Sequence, residues 1–136
     1  MKDLQSVLVP EEGCPIQVTG VRTVLDLDPF DSPVDGKIYI NYKNATADKT
    51  IDAVKFRIRF TDAAGTDVGT FQAPDGAVLG PGLERTQKWK RDSVDPRAMG
   101  VKIRVLIVRF TDGSMWQSNK LQEVPQPGQQ AAPPQE

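Results

Sequence analysis

Apolar and polar residues alternate along most of this chain with a period of two, the spacing of a strand with one face turned to a core. The clearest run is Ile51 to Thr61, where Val54, Phe56, Ile58 and Phe60 alternate with Lys55, Arg57, Arg59 and Thr61. Lys37 to Lys43 reads the same way, with Ile38, Ile40 and Tyr42 on one face and Lys37, Tyr39 and Asn41 on the other. Shorter runs predict strands over 16–19, 21–27, 68–72, 83–90 and 115–118, with Gly20 marking a bulge or a change of sheet between the first two. Val101 to Phe110 is the most apolar run, and its phase slips. Val101, Ile103 and Val105 share one parity, while Leu106, Val108 and Phe110 share the other. A bulge at Val105–Leu106 restores a single inward face and leaves Lys102, Arg104 and Arg109 outward.

Turn chemistry separates these runs. Asp28-Pro29, Ser32-Pro33 and Asp35-Gly36 form one turn-rich loop, and Asn44 to Lys49, Asp62 to Thr66 and Asp112-Gly113 form others. Pro81-Gly82 suits the centre of a type II turn, because Pro presets one dihedral and Gly accepts a positive φ. Val and Ile together number 21 against 8 Leu, and side chains branched at Cβ favour the pleated surface of a sheet. About seven or eight short strands with no amphipathic helix predict an all-β fold, a two-sheet antiparallel Ig-like β-sandwich. Its expected core holds Ile38, Ile40, Val54, Phe56, Ile58, Phe60, Val108 and Phe110. Three regions are expected: residues 1–13 as an N-terminal arm, 14–123 as the sandwich domain, and 124–136 as a disordered Pro/Gln-rich tail.

The segment from Ile38 to Trp89 carries Ile40-Asn41-Tyr42-Lys43-Asn44, Lys49-Thr50-Ile51, Phe60-Thr61-Asp62-Ala63-Ala64-Gly65, Val68-Gly69-Thr70 and Leu79-Gly80-Pro81-Gly82. In these elements it resembles the FxLYD-type domains and related bacterial Ig-like accessory domains of exported proteins. The resemblance implies an accessory module outside a bacterial membrane and brings no catalytic residues with it. Residues 1–13 contain no apolar run able to act as a secretion signal. The expected location is therefore extracytoplasmic, in the periplasm or at the cell surface, if an export signal has been removed, and cytoplasmic otherwise.

Charge and rare residues narrow the chemistry. The chain has 136 residues, with 17 Lys and Arg against 18 Asp and Glu, so its formal net charge of −1 argues against a dedicated nucleic-acid binder. With no His and one Cys, it cannot build a His-based catalytic triad, a His-ligated metal site or an internal disulfide. No catalytic residues, no metal and no cofactor are expected, and no run is long enough for a transmembrane helix.

Four constellations remain. Asp26, Asp28, Asp31 and Asp35 could suggest a calcium loop, but they lack EF-hand spacing, and prolines interrupt them, so a solvated acidic turn is expected. Tyr39, Tyr42, Trp89 and Trp116 could stack on a sugar, against the simpler reading of core and rim aromatics. Asn44-Ala45-Thr46 matches a glycosylation acceptor. The most suggestive set is basic: Lys55, Arg57 and Arg59 alternate outward on one strand, and Lys102 and Arg104 on another. If these strands are neighbours, five cations share one outer face and form a candidate ligand-binding site. The expected function is a non-catalytic module binding another protein; the alternative is a binder of an anionic glycan or lipid surface through that basic face.

Overall fold

The computed structural model describes residues 2–119. Eight strands follow in chain order: β1 (Lys2–Leu8), β2 (Ile16–Leu27), β3 (Pro33–Asn44), β4 (Ile51–Thr61), β5 (Asp67–Asp75), β6 (Glu84–Asp92), β7 (Gly100–Phe110) and β8 (Met115–Gln117). The expected tail, residues 124–136, lies outside the described residues, as do residues 120–123 of the expected domain.

The strands form one sheet in the order β5-β4-β7-β1-β2-β3-β6, with β8 paired to β7. This corrects the two-sheet Ig-like sandwich and, with it, the architecture implied by the Ig-like accessory domains. The reason lies in β1, within the segment read from sequence as an arm. Its first half pairs antiparallel with β2, from Lys2 opposite Leu25 to Leu4 opposite Thr23. Its second half pairs in parallel with β7, from Gln5 opposite Gly100 to Leu8 opposite Ile103. A single strand thus joins what would otherwise be two sheets. The result is one barrel-shaped sheet, nearly closed, whose two ends are β5 and β6.

Inside lies one apolar core. All eight core residues expected from the alternation are buried, and Ile38, Ile40, Phe56, Ile58 and Val108 are wholly so. Phe56 sits at the centre, edge-on to Tyr42 at 5.4 Å and to Trp89 at 5.6 Å between ring centroids. The bulge in β7 is present: Lys55 opposes Ile107 and Phe56 opposes Val105, which leaves Leu106 as the extra residue. That one residue turns Val108 and Phe110 back to the interior while Leu106 is itself buried. A second bulge falls at Thr19 in β2, beside Gly20.

Two glycines are demanded by geometry. Gly82 has φ +77° in the turn closed by the Leu83 N–H donating to the Gly80 carbonyl. A Cβ at Gly36 would lie 3.1 Å from Leu25 and 3.2 Å from Val94, so larger residues there must push core side chains aside.

Candidate interaction surface

β4 and β7 are neighbours, so the five basic residues do share one outer face. Arg57 lies directly opposite Arg104, Arg59 opposite Lys102, and Lys55 opposite Ile107. They do not form an open patch. Lys102 is exposed, and Lys55 and Arg59 are half-buried. The Arg104 side chain is only 12% exposed and Arg57 only 4%. Carboxylates reach in from elsewhere: Asp67 lies 3.5 Å from Arg59, and Glu11 accepts a 3.1 Å hydrogen bond from Arg104. Arg57 is engaged as well.

Glu11 is not among the candidate site residues read from sequence, yet it organises this region. It lies between β1 and β2 and accepts from the Ser118 hydroxyl and the Asn119 N–H as well as from Arg104, tying the chain after β8 to the start of β2. Burial opposes its ionisation, but the bonds from Ser118 and Asn119 and the charge of Arg104 outweigh that and hold its carboxyl below the usual range. Beside it, Cys14 is half-buried; burial and the Glu11 charge push its thiol up, against a backbone hydrogen bond at Ile16. That is the environment of an inert thiol. Cys14, Ile16, Val18, Leu8 and Val105 line a mainly apolar cleft of about 360 Å³.

The second polar assembly lies where the sheet fails to close. No ladder joins β5 to β6 among the described residues; side chains bridge the seam instead. The Asp75 carboxylate, 4% exposed, accepts from the Tyr42 hydroxyl at 2.6 Å, from Arg85 at 2.7 and 3.1 Å, and from Gln87 at 3.2 Å. Four donors satisfy a buried carboxylate that would otherwise be costly. Burial, and then the bond to Asp75, push the Tyr42 phenol well above its ordinary value. Farther along, Trp89 Nε1 donates to the Pro74 carbonyl at 3.0 Å, and the Arg91 guanidinium stacks over the Phe71 ring at 4.7 Å. Side chains thus bridge the seam through the Asp75–Arg85 ion pair, the Gln87 bond to the same carboxylate, the Trp89 indole bond and the Arg91–Phe71 contact.

The main chain at this seam faces outward. The Leu83 carbonyl accepts from the Asn44 N–H of β3, so by alternation Arg85, Gln87 and Trp89 also turn their backbone groups to β3. Lys88 points the other way: its N–H donates to the Gln87 side-chain oxygen at 2.9 Å and not to the ladder. Thr86 and Lys90 share that outward side. On β5 the Pro74 carbonyl is turned to the seam, and Pro supplies no N–H there.

The remaining constellations separate. Asp28 caps its own loop, accepting from the Phe30 and Ser32 N–H groups. Asp26 and Asp35 face each other across β2 and β3, and a proton shared between the two carboxyls would favour the ionised form of Asp26 and the protonated form of Asp35, lowering the one and raising the other. Among the described residues no three acidic or Cys side chains converge as a metal site. Tyr42 and Trp89 turn inward while Tyr39 turns outward, so the four aromatics make no common platform. Asn44 is wholly buried, with its amide donating to the Lys49 and Leu79 carbonyls, which removes it as a glycan acceptor. Among the described residues no helix is long and apolar enough to cross a membrane.

No family model matches the chain, and no curated protein matches it. The likeness to FxLYD-type domains therefore does not hold: its matched turns and alternating strands are general to antiparallel sheets, and the single-sheet topology departs from it. Among solved structures, a hypothetical protein from Peptoclostridium difficile 630 is similar, with a TM-score of 0.53 at 12% identity over 82% of this chain and 90% of that one. At that identity the similarity shows a shared fold alone: a small all-β, barrel-like domain.

Proposed function

We propose that this domain is a non-catalytic protein-binding module that takes an extended segment of its partner along an open sheet edge. One observation carries the reading. The sheet runs from β5 to β6 without a ladder between them, so apart from the Pro74 carbonyl and the Lys88 N–H, which side chains hold, the outward backbone groups of both end strands are left for another chain. Strand addition uses such an edge for affinity and the alternating side chains for specificity. The basic β4–β7 face supports an anionic surface less well, because Arg57 and Arg104 are nearly covered and Glu11 and Asp67 already reach the cluster.

Selection of binders from a random peptide library tests the reading. Selected peptides should slow amide exchange at outward positions of β5 or β6. Binders that leave both edges exchanging, and that Lys102→Glu releases, would refute it in favour of the basic face.

A further inference from the structure

The two end strands, β5 and β6, are not equivalent. β5 is broken as a template: Pro74 offers no N–H, Gly69 sits at φ +155°, and the register with β4 shifts between Phe60 and Thr61. β6 is regular, paired with β3 over nine consecutive positions from Asp92 opposite Asp35 to Glu84 opposite Lys43, without a bulge. Its outward main-chain groups belong to Glu84, Thr86, Lys88, Lys90 and Asp92, all with exposed side chains, so two lysines at the centre of the row are flanked by a carboxylate at each end. The inward-facing side chain between the two lysines is Trp89, half-buried. An incoming strand would therefore place alternate side chains beside Lys88 and Lys90 on the outer face and its intervening side chain beside Trp89. Lys90 reaches Asp35 at 3.6 Å and Asp92 at 3.8 Å, both long contacts, with more than half of its own side chain open to solvent.

We infer that the β6 edge binds an extended acidic segment of a partner protein, with carboxylates at alternate positions and an apolar residue between them. This rests on the strand-edge reading above and names its partner. The charge decides the occupant. A second copy of β6 paired about Lys88 would set Lys88 against its own kind and Glu84 against Asp92, so like charges disfavour self-pairing in the register that centres the lysines. The same lysines attract a strand of the opposite charge. Main-chain bonds at Thr86 and Lys90 and to the Lys88 carbonyl supply register, the Lys88 N–H being held by the Gln87 side chain, and Trp89 covers the apolar side chain.

The test is an NMR titration of the domain at low salt with a capped peptide of alternating Glu and Val. Amide shifts should concentrate at residues 86–91 and diminish as salt is added. The double variant Lys88→Glu/Lys90→Glu, whose changes lie on exposed side chains, should bind about tenfold more weakly or worse, and should gain binding to a peptide alternating Lys and Val. Thr86→Pro keeps both lysines, removes one outward N–H and spares the β3 ladder; it should also lose binding. Shifts centred on Thr70 and Gln72 would overturn the β6 assignment while leaving the protein-binding reading intact. Equal binding of the Lys–Val peptide to the unaltered domain would overturn the charge argument. No shift with the Glu–Val peptide would overturn the proposal, and the library selection would then judge the broader reading separately.

Discussion

Replacing Asp75 with Ala should be the most damaging polar change in the domain, and its size can be worked from the seam. The carboxylate accepts four hydrogen bonds, one of them from Tyr42, which is wholly buried. Removing it strands the phenol, at about 1–3 kcal/mol for an unsatisfied buried donor. Arg85 also loses its partner, but about a third of its side chain is exposed and it can turn to water. The full cost of breaking a buried ion pair, roughly 3–5 kcal/mol, is therefore an upper bound. We expect about 2–4 kcal/mol in urea denaturation with an unchanged slope. Tyr42→Phe alone should cost about 1 kcal/mol, since Asp75 keeps Arg85 and Gln87. Adding Tyr42→Phe to Asp75→Ala should restore about 1 kcal/mol or more, because no hydroxyl is then stranded. Costs that simply add, or an Asp75→Ala variant within about 0.5 kcal/mol of the parent, would refute the network.

Phe56→Ala, which empties the centre of the Tyr42–Phe56–Trp89 cluster, should cost about 3–5 kcal/mol by the same denaturation assay. Asp35→Asn should raise the melting temperature at neutral pH, because proton sharing with the facing Asp26 carboxyl, burial and the like charge raise the Asp35 carboxyl when folded. With the folded value above the unfolded one, protonation of Asp35 favours folding, and that benefit fades as pH rises through the folded value. Asp95 has the opposite sign: hydrogen bonds from the Arg97 side chain and backbone lower it to about 2 from 3.8. Its contribution is present above about pH 4 and lost as pH falls toward 2, so Asp95→Ala should flatten the acid limb of the melting curve. Tyr42, raised when folded, should remain protonated by phenolate absorbance until alkaline unfolding begins.

Much of the interior was legible because strand alternation is local. Val54, Phe56, Ile58 and Phe60 declare an inward face without reference to any partner, and the phase slip at Leu106 could only be absorbed by an extra residue. The parity of the five basic residues was likewise correct. Their burial was not legible, because Glu11 lies 93 positions from Arg104 in sequence. The single sheet was missed for a similar reason. β1 has one buried side chain, Leu4, so its pattern is nearly silent, and its change of partner at Leu4–Gln5 has no local signature. Asn44 matched a modification motif while its amide was in fact holding the 44–49 turn, where Thr46 also donates to it.

Residue-resolved amide exchange of the free domain tests the central claim most directly: one sheet joined through β1, with β5 and β6 as its unpaired end strands. The account predicts protection along β1, where it pairs with β2 and then β7, and at Gln87 and Trp89, which face β3. It predicts rapid exchange at Thr86 and Lys90, whose amides face outward. Rapid exchange throughout β1, or protection at Thr86 and Lys90 equal to that of their neighbours in the absence of a partner, would contradict it.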